Sequence, residues 1–305
     1  MEALKYQLLV LDIDNTIFDW VSYYVNSFWP LLEKASQIIG VEPEKLAHEA
    51  RDVFDREGST EYPFVVQCLP SVERFYGADI DRMLSECVIP CAETFKEMAA
   101  VHLVPYPGVD QVIHQIKTEF PHLKIIALTD APRYVALWKL SKLKLIHSFD
   151  AIYGLTDPMI PVDSTTGIIK VEHQLLIKHL KRNNFGFKGL LRELPDDYEK
   201  PGKRGFKTIL MDFEFENHPS QLDNILWVGD NIKKDIALGS SIGIKSAWAK
   251  YGTTINPSLS VKFNAFSPLS RILRNVSFSE SEHKHTPDYI LEKFSDLLPI
   301  LRAPL

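Results

Sequence analysis

The chain has 305 residues, of which 45% are hydrophobic and 24% are charged, and its formal net charge is -6. This composition is typical of a globular protein, and the acidic balance argues against a nucleic-acid-binding surface. No apolar run is long enough to cross a membrane and no cleavable signal precedes the first strand, so we expect a cytoplasmic protein with neither nucleic acid nor membrane as a partner. The length predicts two domains.

The first predicted element is a strand at residues 8–11 that ends in two carboxylates, Asp12 and Asp14, followed by the hydroxyl of Thr16. In open α/β sheets, ligands bind beyond the carboxyl ends of the strands, and alternate side chains of an extended segment point the same way. A carboxylate can be a nucleophile in phosphoryl transfer, and a neighbouring carboxyl group can act as general acid and base. We therefore predict that Asp12 attacks and Asp14 transfers a proton; the alternative is a solvated junction between strand and turn.

Helical patterns replace strand patterns between residues 19 and 103. Pro43 begins the second predicted helix, and Gly40 and Gly58 end the first two. We predict that this segment is a helical insert between the first strand and the rest of the sheet. The predicted helices cover residues 20–39, 43–54, 62–76 and 80–100.

The next predicted strand, residues 124–128, ends in Thr129 and Asp130, and the segment after it has a helical pattern with Pro132 near its first turn. A hydroxyl group and free N–H groups at a helix start can hold phosphate oxygens. Thr129 and Asp130 are therefore candidates for binding a phosphorylated substrate. The alternative for Thr129 is plain helix capping.

From residue 105 onward strands and helices alternate, which predicts a parallel sheet covered on both faces. A strand at 149–153 is followed by an unexpectedly long segment, 155–197, which we predict to be an insertion with a helix at 171–181 and a glycine-containing loop. A second irregular stretch, 258–285, is predicted to be a surface excursion because it is rich in serine, asparagine and lysine.

A further apolar strand runs into Gly229 and two acids, Asp230 and Asp235, before a helical pattern begins. Mg²⁺ prefers oxygen ligands and usually takes one or two protein carboxylates together with substrate phosphate. Asp12, Asp230 and Asp235 are therefore predicted to form a magnesium site. The alternative is that Asp230 caps the helix and that Asp235 is an acid favoured in its first turn.

The three polar clusters, taken in this order, resemble the motifs of the haloacid dehalogenase (HAD) superfamily. Residues 12–16 resemble its first motif, 128–130 its second and 229–235 its fourth. Residues 104–109 resemble the segment that returns these chains to the core after a cap, and 287–297 resemble their last strand and helix. The joint pattern spans nearly the whole chain.

The resemblance implies an α/β fold, with a three-layer α/β/α Rossmann-like parallel sheet core and an inserted all-helical cap domain. The core would comprise residues 1–18 and 104–305, and the cap residues 19–103. In this family the cap closes over the site, excludes water and recognises the substrate.

The third motif of the family requires a lysine. Lys200 and Pro201, with Phe206 beginning a helical pattern, resemble its Lys-Pro pair, although a lysine replaces a second proline often found there. The Lys200 ammonium is predicted to neutralise Asp12 and the phosphate, a task suited to a compact charge. The rival lysines are Lys170, Lys203 and Lys207, and the plain alternative is a solvated lysine in a loop.

Together these features predict a Mg²⁺-dependent phosphatase that hydrolyses a small phosphomonoester through an aspartyl-phosphate intermediate. Thr129 and Lys200 would hold the phosphoryl group, and the resemblance implies that the backbone carbonyl of Asp14 is also a metal ligand. The predicted catalytic residues are Asp12, Asp14, Thr129 and Lys200, the substrate-binding residues are Thr129, Asp130 and Lys200, and the metal ligands are Asp12, Asp14, Asp230 and Asp235.

Three alternatives use the same motifs. A phosphomutase would return the phosphate to a sugar instead of to water, and the sequence does not separate the two reactions. A dehalogenase needs the nucleophile but has no use for the second acid or for Mg²⁺, so Asp14 argues against it. A non-catalytic binding or regulatory protein of this fold could lose its catalytic groups, whereas this chain has them all, subject to the assignment of Lys200.

Overall fold

The structure of the protein is a computed structural model that describes residues 5–58, 60–62, 64–157, 184–215, 219–267 and 285–303. The helix predicted at 171–181 and the rival lysine Lys170 lie outside these ranges. None of the helices in the described part combines the length and the apolar character that a membrane crossing requires.

The described strands form one seven-stranded sheet in the order β4-β3-β2-β1-β5-β6-β7, and all neighbouring strands are parallel. Since β1 lies between β2 and β5, the loops that follow these three strands meet at one edge of the sheet. The parallel α/β sheet predicted from the sequence is thus confirmed. The strands are β1 (Leu8–Leu11), β2 (Lys124–Pro132), β3 (Ala151–Leu155), β4 (Leu190–Leu194), β5 (Ile225–Gly229), β6 (Lys245–Ala249) and β7 (Tyr289–Leu291).

The described ranges also contain α-helices of 4 to 20 residues. They are α1 (Trp20–Ile39), α2 (Pro43–Glu57), α3 (Pro70–Tyr76), α4 (Ile80–Met83), α5 (Ile89–His102), α6 (Val109–Glu119), α7 (Arg133–Lys142), α8 (Lys203–Asp212), α9 (Pro219–Leu222), α10 (Ala237–Ile242), α11 (Pro257–Phe266) and α12 (Leu297–Arg302). Short 3-10 turns lie at Val66–Cys68, Ile146–Ser148, Asp196–Tyr198, Lys250–Thr253 and Phe294–Asp296, and π-helical turns at Leu84–Val88 and Ile232–Ile236.

The two faces of the sheet are buried against different helices. Successive side chains of a strand point to opposite faces, so Leu8 and Val10 pack in one hydrophobic cluster with Phe206 of α8. Leu9 and Leu11 pack in the other cluster, which holds the buried face of α6. A strand that is buried on both faces must be apolar throughout, which explains the unbroken apolar run of β1.

The segment 19–103 contains only helices and the loops that connect them where the structure describes it, and we call it the helical insert. The predicted helix at 20–39 is confirmed, and Gly40 ends it with a φ of 69°. The continuous helix predicted at 62–76 was wrong, whereas the stretch predicted at 80–100 is helical over 80–102 and contains one π-helical turn. Pro70 begins a separate helix, and Pro90, which has no N–H to donate to the preceding turn, follows a π-helical turn that interrupts the second segment.

Both connections of the helical insert to the sheet run side by side. Phe18, just before α1, forms an antiparallel bridge with Pro105, just after α5, and the N–H of Tyr106 donates to the carbonyl oxygen of Ile17 at 2.9 Å. A parallel bridge also joins Asp14 to Phe18. The insert therefore leaves and re-enters the sheet a few residues from the predicted proton-transfer group.

Part of the predicted 155–197 insertion is a sheet strand. Leu190–Leu194 forms β4, the edge strand beside β3, where a loop was predicted. Arg192 and Glu193 of this strand are exposed, so the segment lacks the apolar run that marks a buried strand. The prediction of a loop here was wrong because an edge strand tolerates charged residues that interrupt its apolar run.

The stretch predicted to be an irregular excursion contains helix α11, which packs on the helical insert. The ring of Phe266 lies 4.8 Å from that of Phe28, and the ring of Phe263 lies 5.9 Å from that of Trp20, centroid to centroid. Both phenylalanines are buried. The remaining residues of α11 are mostly polar or exposed, which hid its helical character in the sequence.

The 3-10 turn that precedes α11 contacts the loop after β1. The hydroxyl of Tyr251 donates to the carbonyl oxygen of Thr16 at 2.7 Å. A Cβ atom at Gly252 would lie 1.7 Å from the carbonyl oxygen of Asn15, so only glycine permits this close approach of the two backbones. The loop that carries the first pair of acids is thus held from the far end of the chain.

Candidate active site

A cavity of about 330 Å³ lies beyond the carboxyl ends of β1, β2 and β5. Asp12 enters it directly after β1, and its backbone N–H donates to the carbonyl oxygen of Val228 on β5 at 2.8 Å. The sheet therefore fixes the position of the Asp12 backbone. The carboxyl ends of the strands and the loops after them line the cavity with Asp12, Asp14, Thr129, Asp130, Lys200, Asp230 and Asp235. The helical insert lines it with Trp20, Phe54, Asp55, Gly58, Thr60 and Glu61.

Three buried carboxylates from two loops converge in this cavity. Asp12, Asp230 and Asp235 each present an oxygen, and the three oxygens lie within 4.8 Å of one another. Their residues are 7%, 8% and 0% exposed, respectively. Asp230 directly follows β5, and Asp235 lies in the π-helical turn after it.

The local structure after β5 explains why these two acids face the cavity. Asn231 caps the helix, because its side-chain oxygen accepts the N–H groups of Lys233 and Lys234 at 3.0 and 3.1 Å, so Asp230 is not the helix cap. A Cβ atom at Gly229 would lie 2.3 Å from Cγ of Asp235. Glycine at this position therefore gives Asp235 the space to reach the strand end.

Lys200 lies among these carboxylates. Its ammonium group is 2.9 Å from Asp12 Oδ1 and 2.8 Å from Asp235 Oδ1, and the residue is buried. The rival residues Lys203 and Lys207 are exposed, and Lys203 donates to the carbonyl oxygen of Ser241 at 2.6 Å. Of the lysines considered from the sequence, the described structure brings Lys200 to Asp12.

Thr129 and Asp130 lie in a different setting from the one predicted. The strand β2 continues past Thr129 to Pro132 after a register shift, so Thr129 does not end the strand. Its hydroxyl accepts a hydrogen bond from the N–H of Ala131 at 3.1 Å, within the stretch where the strand register shifts. Asp130 accepts the backbone N–H of Lys200 at 3.0 Å and pairs with Lys234 at 2.9 Å, so its carboxylate holds the lysine loop beside the cavity.

Asp14 contacts two residues that the sequence reasoning missed. Lys139 of α7 is fully buried, and its ammonium lies 2.8 Å from Asp14 Oδ1 and 2.6 Å from Glu61 Oε1. Helical periodicity carried a signal for Lys139, because Ala136 and Leu143, three residues before and four after, are both buried. Glu61 lies in a loop of the helical insert and carries no comparable signal.

Burial shifts the ionisation of the acids. It raises the pKa of Asp12 to about 7; Lys200 opposes this rise, while the charges of Asp235 and Asp14 add to it. Burial also raises the pKa of Asp14 to about 6 and that of Asp230 well above its usual range. Burial acts to lower the pKa of Lys200, but the nearby carboxylates outweigh it and raise that pKa. The cavity therefore holds more acidic groups than its buried ammonium compensates.

The three-carboxylate cluster fits a hard divalent cation. Mg²⁺ takes carboxylate oxygens, keeps several waters and accepts substrate phosphate as a further ligand. Asp12, Asp230 and Asp235 offer oxygens only, and Lys200 compensates only part of their charge, which favours a cation. The donor set therefore suits Mg²⁺ and lacks the nitrogen and sulfur ligands that zinc prefers.

No family model matches the sequence, and no curated protein matches it. Among solved structures, the chain is similar to magnesium-bound YfnB of Bacillus subtilis, assigned as a HAD-hydrolase, with 16% identity, a TM-score of 0.50, and coverage of 98% of this chain and 100% of that one. A HAD phosphatase of Thermococcus onnurineus has 17% identity, a TM-score of 0.49, and coverage of 98% and 99%. A 2-haloacid dehalogenase of Pseudomonas syringae pv. tomato has 15% identity, a TM-score of 0.49, and coverage of 97% and 99%.

At sequence identities this low, structural similarity shows only that two proteins share a fold. The similarity to YfnB shows this for the present chain. The chain has the fold of the HAD hydrolases, as the sequence motifs predicted. Proteins that share one fold catalyse many different reactions, so the residues of the site determine which reaction takes place.

Proposed function

We propose that this protein is a Mg²⁺-dependent phosphatase that hydrolyses a small phosphomonoester through an aspartyl-phosphate on Asp12. The observation that carries the proposal is the cluster of Asp12, Asp230 and Asp235 with the Lys200 ammonium 2.9 Å from Asp12. Such a site attracts a cation and a phosphate together while presenting a carboxylate nucleophile.

In the first step, an oxygen of Asp12 attacks phosphorus and the bond from phosphorus to the leaving alcohol oxygen breaks. The proton that the alcohol needs comes from the carboxyl group of Asp14. In the second step, water attacks phosphorus and gives a proton to Asp14, and the bond to Asp12 breaks to release phosphate. A carboxyl group that exchanges a proton twice works best when its pKa lies near the working pH, and burial raises the pKa of Asp14 to about 6.

Lys200 and Thr129 hold the phosphoryl group in this proposal. The Lys200 ammonium is anchored by Asp235 on one side and meets Asp12 on the other, so it reduces the repulsion between the nucleophile and an approaching phosphate. Thr129 lines the same cavity with a hydroxyl group that can donate to a phosphate oxygen.

Mg²⁺ would be held by Asp12, Asp230 and Asp235, together with the backbone carbonyl of Asp14. When bound, it supplies positive charge that neutralises phosphate oxygens and aligns them for attack. The magnesium bound in YfnB supports this assignment, since that protein shares the fold.

The helical insert acts as a cap in this proposal, and residues 1–18 and 104–305 form the catalytic core. The support is that Trp20, Phe54, Thr60 and Glu61 of the insert line the same cavity as the acids. Side chains from the insert would then contact the leaving alcohol and select the substrate.

The test is release of inorganic phosphate from a panel of phosphomonoesters with and without Mg²⁺. We expect Mg²⁺-dependent hydrolysis of at least one small ester, loss of turnover in Asp12→Asn, and a phosphorylated peptide containing Asp12 after acid quenching. The matched control is Asp110→Asn, which changes an exposed acid of α6 and should keep full activity. Turnover of Asp12→Asn within tenfold of the wild type would overturn the proposal, and isomerisation of a sugar phosphate without phosphate release would indicate a phosphomutase.

A further inference from the structure

A buried lysine joins three separate segments of the chain at Asp14. Lys139 of α7 is 0% exposed, and its ammonium contacts Asp14 of the loop after β1 and Glu61 of the helical insert at 2.8 and 2.6 Å. The indole N–H of Trp20 donates to the same Glu61 oxygen at 3.2 Å. The Lys139 ammonium also lies 5.7 Å from the centre of the Phe18 ring. These contacts hold the ammonium in one place.

The geometry decides which oxygen of Asp14 is used in chemistry. Lys139 engages Oδ1 of Asp14, so a proton exchanged with a substrate is carried on the other oxygen. A lysine is usually found with its charged end in water. Here a fully buried ammonium is shared by the proposed proton-transfer group and a loop of the insert, and its charge compensates both carboxylates.

We propose that Lys139 is a positioning residue that, with Glu61, orients the Asp14 carboxyl group toward the leaving oxygen of the substrate. The inference rests on the proposed function, because it assigns proton transfer to Asp14. It adds that the orientation depends on the helical insert, since Glu61 belongs to the insert. Lys139 does not touch the substrate; Asp14 and Glu61 line the cavity and Lys139 lies behind them.

A purely structural ion pair predicts a different result from a positioning residue. Loss of a structural contact loosens the site and lowers the rate for every substrate by a similar factor. Loss of the orientation of Asp14 lowers kcat/KM most for those substrates whose leaving group most needs a proton. An alkyl phosphate needs a proton on its leaving alkoxide, whereas p-nitrophenyl phosphate releases p-nitrophenolate, an anion that is stable without protonation. The ratio of kcat/KM for the two esters therefore separates the two roles.

The experiment measures kcat/KM for p-nitrophenyl phosphate and for the best alkyl phosphate of the panel. The variants are Lys139→Met, which keeps the stem and removes the ammonium, and Glu61→Gln, which keeps the oxygen bonded to Trp20 and removes the charge. Lys142→Met is the matched control, because it makes the same change at an exposed position of the same helix. Circular dichroism and thermal melting report whether each variant folds.

We expect Lys139→Met to lower kcat/KM for the alkyl phosphate by about 100-fold, the cost of a misplacement of about 1 Å, and to lower it far less for p-nitrophenyl phosphate. Glu61→Gln should shift the ratio in the same direction, and Lys142→Met should leave it unchanged. Equal losses for both esters, or no loss, would overturn the inference. If Lys139→Met does not fold, an unchanged ratio in Glu61→Gln overturns it. Failure of the proposed function would appear separately, as absence of hydrolysis by the wild type.

Discussion

The ammonium of Lys200 and the carboxylate of Asp12 form a buried ion pair at 2.9 Å, and Asp235 accepts from the same ammonium at 2.8 Å. Removal of one member of a buried pair leaves the other charge uncompensated, which is more damaging than loss of an exposed pair. Lys200 therefore compensates part of the negative charge of the carboxylate cluster.

Lys200→Met should lower kcat/KM by about 10²–10³-fold, because a preorganised charge in a water-excluded site contributes roughly 3–4 kcal/mol. The matched control is Lys203→Met, which removes an exposed lysine three residues away. Steady-state kinetics on the best substrate of the panel checks both. A severe loss in Lys203→Met with little effect in Lys200→Met would mean that the third motif is assigned to the wrong lysine.

Binding of Mg²⁺ should stabilise the protein more at high pH than at low pH. Burial raises the pKa of Asp12 from 3.8 to about 7 and that of Asp14 to about 6. The metal-free folded protein therefore binds protons more tightly than the unfolded chain, so this contribution to stability is present below about pH 4 and is lost as the pH rises through about 6 to 7. Mg²⁺ needs the deprotonated carboxylates that the higher pH supplies.

Differential scanning fluorimetry at about pH 5 and about pH 8, with and without Mg²⁺, checks this expectation. The rise in Tm on adding Mg²⁺ should be larger at the higher pH and should disappear in Asp230→Asn. An equal rise at both pH values, or a rise that survives in Asp230→Asn, would contradict the assigned ligands.

Gly229→Ala should disable the site without touching any group that reacts. The added Cβ would lie 2.3 Å from Asp235 Cγ, so Asp235 must move and the second anchor of Lys200 moves with it. Overpacking of this kind costs about 1–3 kcal/mol in the free energy of unfolding. The control Gly239→Ala places a Cβ 3.1 Å from Ser246 Cβ, a milder contact. Full activity in Gly229→Ala, measured as kcat/KM, would show that the position of Asp235 is unimportant.

Substrates whose alcohol part carries a negative charge should be poor. Where the structure describes it, the helical insert lines the cavity with two acids, Asp55 and Glu61, and with no lysine or arginine; Lys139 compensates Glu61, so the repulsion is expected mainly from Asp55. Like charges placed together across an interface cost several kcal/mol, so kcat/KM should be at least about tenfold lower for phosphoglycolate than for ethyl phosphate or phosphoethanolamine. Asp55→Asn should reduce this difference in kcat/KM between phosphoglycolate and the other two esters. Preferred hydrolysis of phosphoglycolate would refute this expectation.

The acids of the site could be predicted from sequence because parallel strands place their ends together. Asp12 and Asp230 each follow an apolar run, and the order of the runs predicted that they share an edge. Lys200 follows no strand pattern, and only the resemblance of its proline neighbour pointed to it. Lys139 and Glu61 were missed because their contacts depend on how the helical insert lies over the sheet, which local patterns do not encode.

The elements that were missed share a physical cause. Edge strand β4 has three leucines, but the exposed Arg192 and Glu193 interrupt its apolar run. Helix α11 fully buries only Phe263 and Phe266, and most of its other residues are polar or exposed, so its pattern is weak over ten residues. Both elements are stabilised by neighbours that come from distant parts of the chain, and their own propensity contributes little.

Helix α11 gives the helical insert an attachment besides its own two ends. The phenylalanines of the helix pack against aromatic side chains of α1. In the turn before it, Gly252 lies against the backbone of Asn15, and Tyr251 donates a hydrogen bond to Thr16. We expect that a movement of the insert relative to the sheet would also displace α11 and the turn before it. Because that turn contacts Asn15 and Thr16, we expect the position of the insert and the conformation of the loop that carries Asp12 and Asp14 to change together.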